Sequence, residues 1–73
     1  MQLLDEHARP HAVVTTPHQK LRAGRGEGYD EVLKQPLGSG VELRVLDTRG
    51  DWVEVLLADN VSGWVPLRAI TRV

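Results

Sequence analysis

The sequence predicts an all-β domain, a small antiparallel barrel or sandwich of five or six short strands. Three observations support this fold class: short runs rich in β-branched residues, turn-forming residues between the runs, and the lack of an amphipathic helical pattern. Closure of the sheet suits a chain of 73 residues, because a closed sheet leaves no long unpaired edge.

Composition limits the chemistry that the chain can carry. The chain has no cysteine, so neither a disulfide framework nor a thiolate metal site is expected. Nine basic and ten acidic residues give a formal net charge of −1, which disfavours nucleic acid as a partner. No apolar run approaches the length of a membrane span, so these residues are not expected to insert into a membrane.

The N-terminal residues 1 to 11 are predicted to be a linker or tail, and the folded domain is predicted to cover residues 12 to 73. The first segment is polar, and Pro10 stops any helix that begins there. His7 and His11 are four positions apart, as in some metal sites on helices, but Pro10 lies between them and no further ligand is evident. We therefore interpret both as solvated linker histidines and predict no metal site.

The first half of the domain contains three extended pieces. Residues 12 to 16 are β-rich and stop before Pro17, so they are predicted to be the first strand. Residues 20 to 23 form a short extended piece, with Leu21 as its inward anchor. Residues 32 to 37 have strand-like composition and contain a proline, which restricts them to an edge or an end of a sheet.

Between the second and third pieces lies a long polar loop with three glycines at alternate positions, Gly24, Gly26 and Gly28. Alternating glycines can suggest a phosphate cradle. The dinucleotide-binding fingerprint, however, needs a later glycine and a following helix, and neither is present. We interpret this segment as a loop between strands.

Residues 41 to 46 alternate regularly between apolar and polar side chains, which predicts a strand. Its inward residues are expected to be Val41, Leu43 and Val45. Residues 47 to 51 are predicted to be the turn after it. They include the tripeptide Arg-Gly-Asp found in integrin ligands, which we attribute to the backbone requirements of a tight turn.

The last part of the chain predicts a hairpin that holds both tryptophans. Residues 52 to 57 form one strand, a polar turn follows at 58 to 62, and Trp64 and Val65 begin the return strand before Pro66. With a period of two, the inward set is Val53, Val55 and Leu57 and the outward set is Trp52, Glu54 and Leu56. Residues 70 to 73 are predicted to be the final strand.

Four segments together resemble the bacterial SH3-like (SH3b) domain. They are Gly-Asp-Trp-Val-Glu-Val, then Gly-Trp-Val-Pro, and before them Leu-Arg-Ala-Gly-Arg-Gly and Gly-Val-Glu-Leu-Arg-Val-Leu. The resemblance covers about residues 12 to 73. It implies an SH3-like barrel in which residues 66 to 69 form a short 3₁₀ turn before the last strand and residues 21 to 31 form the long loop of the family.

The resemblance also implies a binding function and a set of candidate residues. Trp52 and Pro66 match two positions of the groove in which SH3 domains hold proline-rich peptides. Tyr29 of the long loop would flank the groove, and Glu54 lies beside Trp52 on the outer face. The groove is incomplete, because the first strand lacks tyrosines and Ala69 stands where the family has another.

We therefore expect a noncatalytic binding or targeting module of a larger bacterial envelope-associated protein, whose ligand is a peptide, a protein surface or a cell-wall polymer. The alternative is a purely structural spacer or assembly domain without a ligand. An enzyme is not expected, because no nucleophile, base and cleft come together, and no cofactor is implied. By the same resemblance, we expect the chain to be a fragment of a protein that is extracytoplasmic or membrane-tethered.

Two interpretations of Trp52 remain open from the sequence. An exposed indole suits stacking on a peptide or a sugar ring, whereas an indole that covers the rim of the barrel is a lid. Trp64 is expected to behave as a structural residue of the return strand.

Overall fold

A computed structural model describes residues 11 to 73, which form one antiparallel sheet of five strands and a single 3₁₀ turn. The strand order across the sheet is β4-β3-β2-β1-β5. This confirms the predicted all-β class, while the strands themselves leave β4 and β5 as edges and do not close the sheet. The strands are β1 (His11–Val14), β2 (Glu42–Arg49), β3 (Trp52–Leu56), β4 (Ser62–Pro66) and β5 (Ile70–Arg72), with the 3₁₀ turn at Leu67–Ala69.

Strand β1 is shifted toward the N-terminus relative to its prediction. It begins at His11, one residue before the predicted domain boundary, and ends at Val14, two residues before the predicted end. The end comes early because the Thr15 amide donates a hydrogen bond to the carbonyl of Ala69 in the 3₁₀ turn. Residues 1 to 10, including His7 of the histidine pair, lie outside the described residues.

Strand β2 is longer than predicted and contains a β-bulge. Val45 pairs with Val55 of β3 and Asp47 pairs with Glu54, so Leu46 is an extra residue in the ladder. Residues 42 to 44 of β2 pair with β1 and residues 44 to 49 pair with β3, so Arg44 is paired on both sides. The predicted turn at 47 to 51 is therefore too long: the strand continues to Arg49, and the chain reverses at Gly50, whose φ of +59° suits glycine.

The hairpin of β3 and β4 agrees closely with its prediction. The side chains of Val53 and Val55 are 0% exposed. Leu57, the third residue of the predicted inward set, lies beyond the end of β3 and is half-buried against the core. The turn closes where the Leu57 amide donates to the carbonyl of Val61, and Asn60 adopts a φ of +67°.

One hydrophobic core lies on the inner face of the sheet. All five strands contribute to it, and two residues of the long loop between β1 and β2 complete it. Val41, predicted to point inward, is only half-buried because it precedes β2. The core residues are Ala12, Val14, Leu21, Leu37, Leu43, Val45, Val53, Val55, Val65 and Ile70.

The long loop between β1 and β2 does not contain the strand predicted at residues 32 to 37. Its two arms touch at isolated bridges, Gln19 with Leu37 and Arg22 with Glu31. A strand does not form because Pro36 lacks an amide donor and only these two points are paired. Leu21 is 1% exposed, which confirms its predicted inward anchor.

The first arm of this loop packs along the outer edge of β4. The Arg22 amide donates to the carbonyl of Trp64 at 2.9 Å, and the Trp64 amide donates to the carbonyl of Arg22 at 2.8 Å. Leu21 lies over Gly63, where the Cβ atom of any larger residue would approach the Leu21 Cγ to 2.6 Å. The loop thus covers an edge that β4 would otherwise expose. Within residues 11 to 73, no helix has the length and apolar character needed to cross a membrane.

We predict that Val55→Ala lowers the free energy of unfolding by about 1 to 3 kcal/mol, because it removes two methyl groups from a tightly packed core. Urea denaturation followed by tryptophan fluorescence measures this loss. Val73→Ala is the matched control, since Val73 is 80% exposed and its loss is expected to be within about 0.5 kcal/mol. Equal effects of the two changes would contradict the inward register of β3.

We also predict that Gly63→Ala destabilises the domain and loosens the loop, because the added methyl group collides with Leu21 and with the Arg22 carbonyl. Hydrogen exchange of the Trp64 amide, which is bonded to the Arg22 carbonyl, is expected to accelerate more than exchange of the amides in β3. Gly28→Ala is the control, because a Cβ atom there meets nothing within 4 Å. Unchanged exchange at Trp64 in the Gly63 variant would show that the loop does not depend on this contact.

Candidate functional site

A shallow groove of about 250 Å³ lies between the long loop, the start of β3 and the 3₁₀ turn. Trp52 and Pro66 form its apolar part, Trp52 half-buried and Pro66 buried. The two are cross-strand partners in the β3–β4 ladder. The other lining residues are polar or charged: His18, Gln19, Lys20, Arg22, Glu27 and Arg68.

Local structure holds Trp52 and Pro66 in place as one unit. Trp52 is the first residue of β3, directly after the Gly50–Asp51 reversal, and Pro66 is the last residue of β4. The Leu67 amide donates to the carbonyl of Asp51 at 2.7 Å, which joins the 3₁₀ turn to the turn before Trp52. The apolar floor of the groove is therefore part of the sheet.

The loop side of the groove follows from the position of Leu21. Because side chains of an extended segment alternate, burial of Leu21 directs Lys20 and Arg22 outward, and both line the groove. His18 precedes them with a φ of +57°, a left-handed conformation that turns the chain after Pro17.

Each charged residue of the groove makes either a long ion pair or a single hydrogen bond. Glu27 Oε2 lies 3.7 Å from Arg68 Nη2 and so links the loop to the 3₁₀ turn. Lys20 Nζ lies 4.0 Å from Glu31 Oε2, and Arg22 Nη1 donates to the carbonyl of Tyr29 at 3.0 Å. Ion pairs this exposed contribute little to stability, so the side chains can move toward a ligand.

The structure brings together only two of the four candidate residues. Trp52 and Pro66 line the groove, whereas Tyr29 and Glu54 do not. Tyr29 is 55% exposed, and its ring lies against the backbone of Gly24, where a Cβ atom would come within 2.6 Å of it. The Tyr29 ring therefore packs within the loop, and glycine at position 24 leaves room for it.

Glu54 lies in the middle of the outer face, one ladder step from the groove. It pairs with Asp47 of β2 on one side and with Trp64 of β4 on the other. Glu54 and Trp64 are half-buried.

The outer face also holds the second tryptophan. Trp64 lies on the return strand as predicted, but its side chain shares the outer face with Trp52, and the Arg25 guanidinium lies 5.9 Å from its ring centroid. Alternation predicts an exposed Trp52, yet the residue is half-buried because the loop and the 3₁₀ turn flank it. The two tryptophans thus differ less than the sequence suggests.

Asp47, at the far side of this row, has a pKa below its ordinary value. The main cause is the hydrogen bond that Arg49 Nε donates to Asp47 Oδ2 at 2.8 Å, and the Thr48 amide adds a second bond to Oδ1. The charges of Arg49 and Arg25 lower the pKa further. Asp47 is therefore held in a charged pair with Arg49 at this end of the row.

A second, larger hollow of about 330 Å³ lies at the opposite end of the sheet, between the start of β1 and the β3–β4 turn. It contains none of the candidate residues. Its lining residues are His11, Glu42, Leu43, Arg44, Leu56, Leu57, Ala58 and Asn60. The part of the chain that the structure describes has no group of three or more histidine, aspartate or glutamate side chains placed to hold a metal ion.

Sequence reasoning does not find the charged groove residues Lys20, Arg22, Glu27 and Arg68. For Lys20 and Arg22 a signal is present, since the inward prediction for Leu21 already directs its two neighbours outward. For Glu27 and Arg68 no local signal exists, because only tertiary packing brings the loop to the 3₁₀ turn.

We predict that Asp47→Asn reduces the loss of stability on acidification. A carboxyl whose pKa is lower in the folded than in the unfolded state stabilises the fold above its unfolded pKa, and this contribution is lost as the pH falls through the folded pKa. Thermal unfolding from neutral pH down to about pH 2 measures the difference, over a range that includes the usual aspartate pKa. Asp59→Asn, at the exposed β3–β4 turn, is the control. Identical acid profiles for Asp47→Asn and the parent would contradict the role of the Arg49 bond.

Comparisons of the chain with protein-family models, with curated proteins and with solved structures find no match. The groove is therefore interpreted from its own geometry and chemistry.

Proposed function

We propose that residues 11 to 73 form an SH3-like barrel of the bacterial SH3 (SH3b) type. Four features support this: the strand order, the long loop between β1 and β2, the bulged β2, and the 3₁₀ turn between β4 and β5. The Arg22–Trp64 hydrogen bonds also support the proposal, because they extend the sheet from β4 into the loop.

We further propose that the domain is a noncatalytic binding module, and that the Trp52–Pro66 groove is its binding surface. The observation that carries this is the position of Trp52, whose ring lines a surface groove and is only half-buried. Among the described residues, the Trp52 indole N–H has no hydrogen-bond acceptor, and no buried side-chain donor is left unpaired. A flat apolar ring whose donor bonds to none of residues 11 to 73 suits an extended ligand.

The wider setting of the module follows from the resemblance to SH3b domains. We propose that it belongs to a larger bacterial envelope-associated protein and recognises a peptide, a protein surface or a cell-wall polymer. A volume of about 250 Å³ is below that of pockets which enclose small molecules, and this supports a ligand that lies across the surface.

The test is capture of ligand by the protein and by Trp52→Ala. Purified peptidoglycan sacculi and an array of extended peptides, proline-rich ones included, are the probes. We expect the parent to bind at least one probe and Trp52→Ala to lose binding by more than about tenfold, as for a central interface aromatic. Trp52→Ala is expected to cost about 1 to 2 kcal/mol of stability, below the cost for a fully buried tryptophan, so the variant stays folded.

Leu46→Ala is the matched control, because Leu46 is an apolar residue of the β2 bulge, 37% exposed and outside the groove. It is expected to bind as the parent does. Equal binding by Trp52→Ala would contradict the proposed surface. Absence of binding to every probe, together with unfolding of Trp52→Ala, would instead favour the spacer function, with Trp52 as a lid.

A further inference from the structure

We propose that the groove selects an anionic ligand: an extended peptide segment that carries a carboxylate beside an apolar side chain. This inference rests on the proposed binding function and specifies its ligand. Its basis is the charge of the groove wall, the geometry of the arginines and the nature of the one carboxylate already in the groove.

The groove is positive although the chain is not. Lys20, Arg22 and Arg68 line it against one carboxylate, Glu27, which gives a formal lining charge of +2 with His18 neutral, and Glu31, 4.0 Å from Lys20, reduces the local charge to +1. The whole chain has a formal charge of −1. Positive charge is therefore concentrated around Trp52 and Pro66, where it complements an acidic ligand.

Arg22 has donors to spare for such a ligand. In the described part of the chain its guanidinium makes one side-chain hydrogen bond, from Nη1 to the Tyr29 carbonyl. That bond orients the side chain while the other N–H groups remain for a ligand. A guanidinium presents paired N–H donors that match the two oxygens of a carboxylate, and such charge-assisted bonds are stronger than neutral ones.

Glu27 is a carboxylate of the chain itself, the same chemical group that we assign to the ligand. Its carboxylate lies 3.7 Å from Arg68, and the two side chains are 69% and 76% exposed. A long, exposed pair of this kind contributes little free energy. A ligand carboxylate can therefore take the place of Glu27 on Arg68 at small cost, and Glu27 acts as a weak internal competitor.

The apolar floor of the groove, Trp52 and Pro66, favours a peptide over a phosphate-rich polymer as the ligand. Cations bind carboxylates and phosphates alike, but a polyphosphate chain offers no apolar group to cover Trp52 and Pro66. Successive side chains of an extended peptide point to opposite sides, so residues two apart share one side. A carboxylate can therefore face Arg22 or Arg68 while the side chain two residues away packs on the Trp52 indole.

The experiment uses a library of short extended peptides, each synthesised in a glutamate form and in an otherwise identical glutamine form. Polyphosphate and a neutral glycan are the comparison probes. Binding to the full chain is followed by the indole N–H signals in nitrogen-15 NMR, where the two tryptophans report separately on the groove and on the Arg25 side. We expect glutamate peptides to shift the Trp52 signal and to bind about tenfold tighter than their glutamine forms, with the difference shrinking as salt is added.

Charge variants locate the contact. Lys20→Gln and Arg68→Gln are each expected to weaken the binding of glutamate peptides about threefold to tenfold and to leave the binding of glutamine peptides unchanged. This is the range for charge contacts that are exposed or partly desolvated. The matched controls Lys34→Gln and Arg72→Gln remove the same charges outside the groove and are expected to have little effect. Glu27→Gln is expected to increase the affinity for glutamate peptides, because it removes the competing carboxylate.

The possible results distinguish failure of the carboxylate proposal from failure of the proposed binding function. If glutamine peptides, the neutral glycan or polyphosphate move the Trp52 signal as strongly as glutamate peptides do, the carboxylate assignment is wrong and the binding module stands. Weaker binding by Glu27→Gln would also overturn the assignment. If no probe moves the Trp52 signal, the proposed function fails together with the inference.

Discussion

The packing of Leu21 on Gly63 holds the long loop to the sheet, and both the covered edge of β4 and the charged side of the groove depend on it. The sheet ends at β4, and the loop between β1 and β2 completes the core there by placing Leu21 where a side chain of β4 would otherwise stand. Glycine at position 63 permits this approach, and the paired hydrogen bonds between Arg22 and Trp64 hold it. A domain with so small a core needs this contribution, because such a chain buries only about 60% of its unfolded surface.

The same contact builds the groove. Once Leu21 is buried, Lys20 and Arg22 must point outward, and the loop reaches far enough for Glu27 to meet Arg68. Trp52 and Pro66 are fixed independently by the ladder of β3 and β4. The candidate site therefore combines a rigid apolar floor with charged side chains that long, exposed ion pairs leave adaptable. Stability and ligand contact are coupled through the loop, so changes at Gly63 are expected to affect both.

The outer face of the sheet is divided by charge. Lys20, Arg22 and Arg68 line the same groove as Trp52, together with Glu27. One ladder step away, Asp47 and Glu54 form a row with Trp64, and Arg25 lies over its ring. The charges near the two tryptophans therefore differ: three cations and one carboxylate line the groove with Trp52, whereas Asp47, Glu54 and Arg25 lie near Trp64. Both tryptophans are half-buried, so each also packs against the protein.

Local patterns in the chain were enough to predict the all-β class, the hairpin of β3 and β4 and the inward anchor Leu21, because alternation and turn chemistry act over a few neighbouring residues. Alternation also predicted an outward Trp52, and the resemblance to SH3b domains added Pro66, which shares the candidate groove with it. The bulge at Leu46, the loss of a strand at residues 32 to 37 and the separation of Tyr29 and Glu54 from the groove came from tertiary packing. These features depend on contacts between segments distant in the chain, as does the meeting of Glu27 with Arg68, and no local pattern records such contacts.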